Sequence, residues 1–108
     1  MACHLTVDSG ICGFRSVIEA RKRGKDSVSI TIESECEQIC QLNNVLGSMA
    51  LKDIFTPPGR NLVFARAQKA RCHVTCPVPV AILKCAEVEL GMALPRDVSI
   101  TFASSTGK

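Results

Sequence analysis

Residues 13–33 read GFRSVIEARKRGKDSVSITIE. The second half alternates without a fault: Val28, Ile30 and Ile32 fall between Ser27, Ser29, Thr31 and Glu33. A period of two puts the apolar side chains on one face and the polar ones on the other, the pattern of a half-buried strand. The first half, from Gly13 to Lys22, carries Phe14, Val17, Ile18 and Ala20 and ends at the turn-prone Arg23-Gly24-Lys25-Asp26. Two such segments joined by a short glycine-bearing loop predict a β-hairpin.

Upstream, Cys3, Leu5 and Val7 alternate with His4, Thr6 and Asp8 until Asp8-Ser9-Gly10 breaks the pattern. This predicts a first strand with Cys3 toward the core and His4 at the surface. Downstream, Ser34 followed by Glu37 is a capping-box signature. It predicts a helix through Cys36, Ile39, Cys40, Leu42, Val45 and Leu46, stopped by Gly47. Thr56-Pro57-Pro58-Gly59 marks a loop. A second helix is expected from Asn61 to about Ala70, with Val63, Phe64, Ala67 and Ala70 on one face. A third is expected from Pro77 to Leu90, with Gly91 as the left-handed residue after its end. Val98, Ile100 and Phe102 alternate with Ser99 and Thr101 and predict a C-terminal strand.

Runs of strands followed by runs of helices imply an α+β fold. The expected sheet is small and mostly antiparallel, built from the N-terminal strands, the hairpin and the C-terminal strand. About three helices pack on one face, and residues 1–108 form one domain. The composition suits it: 46% of residues are apolar and 21% charged. With no Trp, no Tyr and four Phe, the core must be aliphatic.

A net charge of +3 is too mild for a nucleic-acid binder, and the aromatic rings that stack on bases are scarce. Arg60, Arg66, Lys69 and Arg71 read as a solvated helix face. No apolar stretch approaches the ~20 residues needed to span a bilayer. Met1-Ala2-Cys3-His4 has neither the basic nor the apolar region of a secretory signal, so the expected location is the cytoplasm. Thiols stay reduced there, and an odd count of seven cysteines also argues against a closed disulfide framework.

The cysteines differ in placement. Cys12 lies between Gly10 and Gly13, where the backbone has freedom to bring a ligand close. Cys36 is expected at about the second position of the first helix, near free N–H groups and the positive end of the helix dipole. Glu35 and Glu37 oppose that effect. Pro77 and Pro79 must both lie in the first turn of the third helix, which makes Cys76 its expected N-cap. Cys72-His73-Val74-Thr75-Cys76 thus offers three metal-ligating side chains in five positions. Thiolate with imidazole is the donor set favoured by zinc and iron–sulfur centres. Cys85, among Ile82, Ala86 and Val88, reads as a core residue; Cys40, one turn after Cys36, reads equally well as core or ligand.

In order and spacing, Cys12-Gly13, a hairpin, Cys36 entering a helix, then Cys72-His73 and Cys76 before a late helix resemble the U-type iron–sulfur cluster scaffold proteins. The resemblance covers about residues 10–91. It implies Cys12, Cys36 and Cys76 as cluster or zinc ligands with His73 beside them. Phe14 stands where that family carries an aspartate, and no adjacent His-Cys pair or chaperone-recruiting proline motif is present. The chain also looks like a small uncharacterised cysteine-rich family of anaerobic bacteria and archaea with Gly-Ile-Cys-Gly, Cys-Pro-Val-Pro and Leu-Pro-x-Asp-Val elements.

The leading expectation is a protein that binds an iron–sulfur cluster or zinc through Cys12, Cys36, Cys72, His73 and Cys76, acting as scaffold or carrier. Its expected partners are iron–sulfur or sulfur-donor proteins, with self-association through an exposed sheet edge left open. Two alternatives stand beside it. One is a thiol- or sulfur-transfer enzyme with an activated Cys36 or Cys76. The other is an interaction module whose cysteines fill the core.

Overall fold

The computed structural model describes residues 2–103. Four strands form one antiparallel sheet in the order β1 (Ala2–Asp8), β2 (Arg15–Arg23), β3 (Ser27–Ser34) and β4 (Ser48–Ala50). The hairpin is as expected, with Gly24, Lys25 and Asp26 between Arg23 and its partner Ser27. Its register places Ile18 opposite Ile32 and Ala20 opposite Ile30, all buried on one face. Ser16, not Val17, takes the inward position near the start of β2, because the alternation that buries Ile18 and Ala20 dictates it.

Three helices cover that face: α1 (Glu37–Leu46), α2 (Leu62–Lys69) and α3 (Val78–Glu89). The third lies on β1 and β2, the first on β3, and α2 packs between the other two. Ile18, Leu42, Ile82, Val28, Val63 and Val78 are the large aliphatic side chains removed from solvent at the centre. Each such burial stabilises the fold by about 1.5–3 kcal/mol. Cys85 belongs to this core, as expected, its thiol directed at the Cys3 and Ile18 carbonyls.

Two helix starts are displaced from expectation. Cys36 is itself the N-cap of α1, because the Ser34 hydroxyl accepts from the Cys36 N–H at 3.1 Å and holds the chain extended there. At α3 the N-cap is Pro77, so Cys76 lies one residue outside the helix. The α2 start is the expected one: Asn61 Oδ1 accepts from the Val63 N–H at 2.9 Å.

The C-terminal strand is a correction. Residues 91–103 form no regular structure, and Val98, Ile100 and Phe102 are 60%, 88% and 96% exposed. Alternation supplies two faces but no partner strand, and the sheet is completed instead by the three-residue β4. Among the described residues, no helix is long and apolar enough to cross a membrane.

Candidate functional site

One end of the sheet gathers three chain segments. Asp8 pairs with Arg15, and Ser16 with Ser34, so the β1–β2 loop and the β3–α1 junction emerge side by side. The segment between α2 and α3 returns to the same place.

Each segment is bent toward this end by an identifiable local device. In the β1–β2 loop, Gly10–Cys12 forms a short 3-10 turn. Gly13 closes it at φ 76°, a left-handed angle that a side chain resists, and its N–H donates to the Gly10 carbonyl at 2.8 Å. Asp8 Oδ1 accepts from the Gly10 N–H at 3.0 Å. Cys12 is thereby presented at the surface. At the end of α2, Arg71 takes φ 63°, with its N–H donating to Gln68 and the Cys72 N–H donating to Ala67. These two bonds make a Schellman motif with arginine where glycine is usual. The chain reverses there and carries Cys72, His73 and Cys76 back to the sheet end.

The result is a cleft of about 240 Å³ lined by Cys12, Cys36, His73 and Cys76, with Ser9, Phe14, Gln38 and Ile39 among them. Cys12 Sγ and His73 Nδ1 are 4.0 Å apart. Cys36 is half-buried, and its thiol donates to Gln38 Oε1 at 3.3 Å. Burial pushes the Cys76 thiol above its ordinary value; the Val78 N–H pulls it back, and the neighbouring Cys36 and Cys12 thiols raise it further.

Cys72 stands behind the cleft, half-buried against the core. Burial first, then the nearby Cys76 and Cys36, push its thiol up to about 11. The remaining cysteines lie elsewhere. Cys40 faces solvent and donates to the Ser34 carbonyl at 3.1 Å, and Cys3 packs at the core margin. His4 is at the surface, 3.5 Å from Glu19. All seven cysteines are free thiols.

Four of the five sequence-selected site residues therefore share one cleft, and the fifth adjoins it. Gln38 and Ser9 are the lining residues that sequence reasoning passed over; a glutamine two residues after Cys36 was the available signal for the first. Among the described residues, His73 is the one acidic or basic side chain, besides the thiols, that lines the cleft. Among the described residues, no three His, Cys, Asp or Glu side chains are gathered closely enough to hold a metal ion as they stand.

No curated protein and no solved structure matches the chain. A family model matches residues 3–102, which takes in all of the sheet but Ala2, all three helices and every cleft residue, and the chain belongs to that family, the family of unknown function DUF6951.

Proposed function

We propose that the protein binds a soft metal centre, a zinc ion or a small iron–sulfur cluster, in the cleft, and that it acts as a carrier or scaffold for it. Cys12, Cys36 and Cys76 serve as sulfur ligands and His73 as the nitrogen ligand, with Cys72 the reserve thiol beside them. The observation that carries this reading is the convergence of four soft donors from three separate segments on one cleft, while Cys40 and Cys85 lie outside it.

Three sulfurs and an imidazole match the donor set of closed zinc sites. Thiols this close to one another disfavour becoming thiolates together, which is part of what raises Cys72 and Cys76. A bound cation reverses that balance, because it stabilises every thiolate it touches. The donors must also draw inward. Cys12 and His73 are exposed on loops, so metal binding is coupled to closure of those loops over the cleft. A reducing cytoplasm is the compartment that keeps such thiols available, and iron–sulfur or sulfur-donor proteins are the fitting partners.

A sulfur-transfer alternative moves the nucleophile from the expected Cys36 or Cys76 to Cys12, whose thiol has the His73 imidazole beside it to serve as base. The two readings separate in one experiment. The protein is purified anaerobically and its zinc, iron and sulfide are measured with an absorption spectrum. It is then alkylated before and after zinc addition or iron and sulfide reconstitution. Metal binding predicts joint protection of Cys12, Cys36 and Cys76. Metal-free protein, unprotected after both treatments and carrying a single fast-reacting Cys12, overturns it in favour of sulfur transfer.

A further inference from the structure

Residues 97–102, Asp97-Val98-Ser99-Ile100-Thr101-Phe102, have a strand's alternation yet pair with no strand among the described residues. Three large apolar side chains at alternate positions are left in water, Phe102 almost completely. The family match runs through residue 102, so this segment belongs to the recurring unit. Solvated apolar side chains set at strand spacing favour association with a sheet edge.

The sheet has such an edge. All seven residues of β1 pair with β2 on one side and with no described strand on the other. The opposite edge is already blunted: β4 has three residues, and beyond it the β3 amides of Ile30 and Ile32 donate to Gly47 O and Asn43 Oδ1, each at 2.8 Å. On the core side of β1, Cys3 and Leu5 are only half-covered, because the sheet ends there. Val98, Ile100 and Phe102 have the spacing to continue the row of Cys3, Leu5 and Val7.

The end of α3 shows which chain's edge the segment meets. Glu89 Oε2 accepts from the Lys22 N–H at 2.9 Å, which fixes that end near Arg21 and its partner Ala2. From there every residue from 91 to 103 is exposed, and the molecule measures 51 Å along its longest axis against 28 and 26 Å across. The tail is not packed on its own sheet.

From this juxtaposition we infer that residues 97–102 add as a fifth strand to the β1 edge of a second copy, whose own tail returns to the first. The exchange is isologous, so one two-fold axis covers both edges and both tails. Two six-residue strands with three large apolar side chains each reach the roughly 1,200 Å² at which stable interfaces begin.

The test is the mass of the full chain in solution under reducing conditions, by light scattering, together with amide exchange of residues 2–8. The wild type is expected as a dimer with β1 amides protected. The Val98→Ser/Ile100→Ser/Phe102→Ser variant is expected as a monomer whose β1 amides exchange at least about tenfold faster. Phe102→Ser alone should weaken the dimer by about tenfold or more, which keeps the test decisive if the triple variant is poorly folded. A monomeric wild type, a triple variant that remains dimeric, or unchanged β1 exchange in the monomeric variant would each overturn the proposal.

Discussion

Cys12 Sγ and His73 Nδ1 approach to 4.0 Å although 61 residues separate them in the chain. The β1–β2 loop and the α2–α3 segment therefore share one surface, each brought there by its own turn, at Gly13 and at Arg71. Zinc–sulfur and zinc–nitrogen bonds are about 2.3 and 2.0–2.1 Å long. Two such bonds meeting at a tetrahedral angle put sulfur and nitrogen roughly 3.6 Å apart. The proposed zinc site therefore needs this pair to close only slightly, which two exposed side chains can do.

Replacing Cys36 or Cys76 by Ser should weaken zinc binding by at least about tenfold, as loss of a direct ligand must match the lower range seen for losing its outer supports. Cys40→Ser, on the solvent face of α1, should leave it unchanged. Competition with a chromophoric chelator measures both. Equal affinity in all three variants would remove these sulfurs from the site.

The thiols should also differ in reactivity. Only the thiolate alkylates, and the Cys72 thiol is held up to about 11. In metal-free protein, its alkylation rate should rise close to tenfold per pH unit from pH 8 and level off only near 11. Mass-resolved iodoacetamide labelling across that range provides the check. A plateau near pH 9 would show an ordinary, accessible thiol.

The hairpin was legible because Val28, Ile30 and Ile32 both alternate and find a partner in β2, only three turn residues away. Val98, Ile100 and Phe102 alternate as well, but periodicity reports a face and not a neighbour, so the same signal led to a strand the single chain does not form. The strand β4 was invisible for the opposite reason: Ser48, Met49 and Ala50 are too few to show a period. At Cys36 the helix start slipped because the Ser34 hydroxyl reaches the Cys36 amide and makes that cysteine the cap. The cleft itself was legible in its donors and not in its closure, since distances between loops depend on turns such as the one at Arg71.

Asn61 is 3% exposed and holds three backbone groups at once: the Val63 N–H, and the Asp53 and Thr56 carbonyls at 2.6 and 3.0 Å. Asn61→Ala removes the α2 cap and strands two carbonyls. The expected loss is about 3 kcal/mol, read from urea unfolding midpoints. A loss below about 1 kcal/mol would mean that the loop re-satisfies those groups without it.

Arg71→Gly should have the opposite sign. The arginine pays for a left-handed backbone at φ 63°, a conformation glycine adopts freely. Added freedom in the unfolded chain offsets part of the gain, so the net stabilisation should be about 0.5 kcal/mol. A drop in stability would show that the Arg71 side chain contributes more than its backbone strain costs.

Burial, with Cys3 beside it, pushes the fully buried Cys85 thiol from 9.0 to about 12, and Cys72 reaches about 11. Below pH 9 both thiols are protonated in the folded and unfolded chains, and neither makes stability depend on pH. Above it the unfolded chain releases protons that the folded chain retains, so stability falls by up to ~1.4 kcal/mol per pH unit for Cys85. Cys72 adds less, because solvent reaches it. The decline from Cys72 ends near pH 11 and that from Cys85 near 12. Cys85→Ala should therefore cost stability at pH 7 through the small cavity it leaves, yet flatten the profile between pH 9 and 11. Denaturant titrations of both proteins at pH 7, 9, 10 and 11 separate the two effects. Parallel profiles would show that Cys85 ionises in the folded protein as readily as in the unfolded chain.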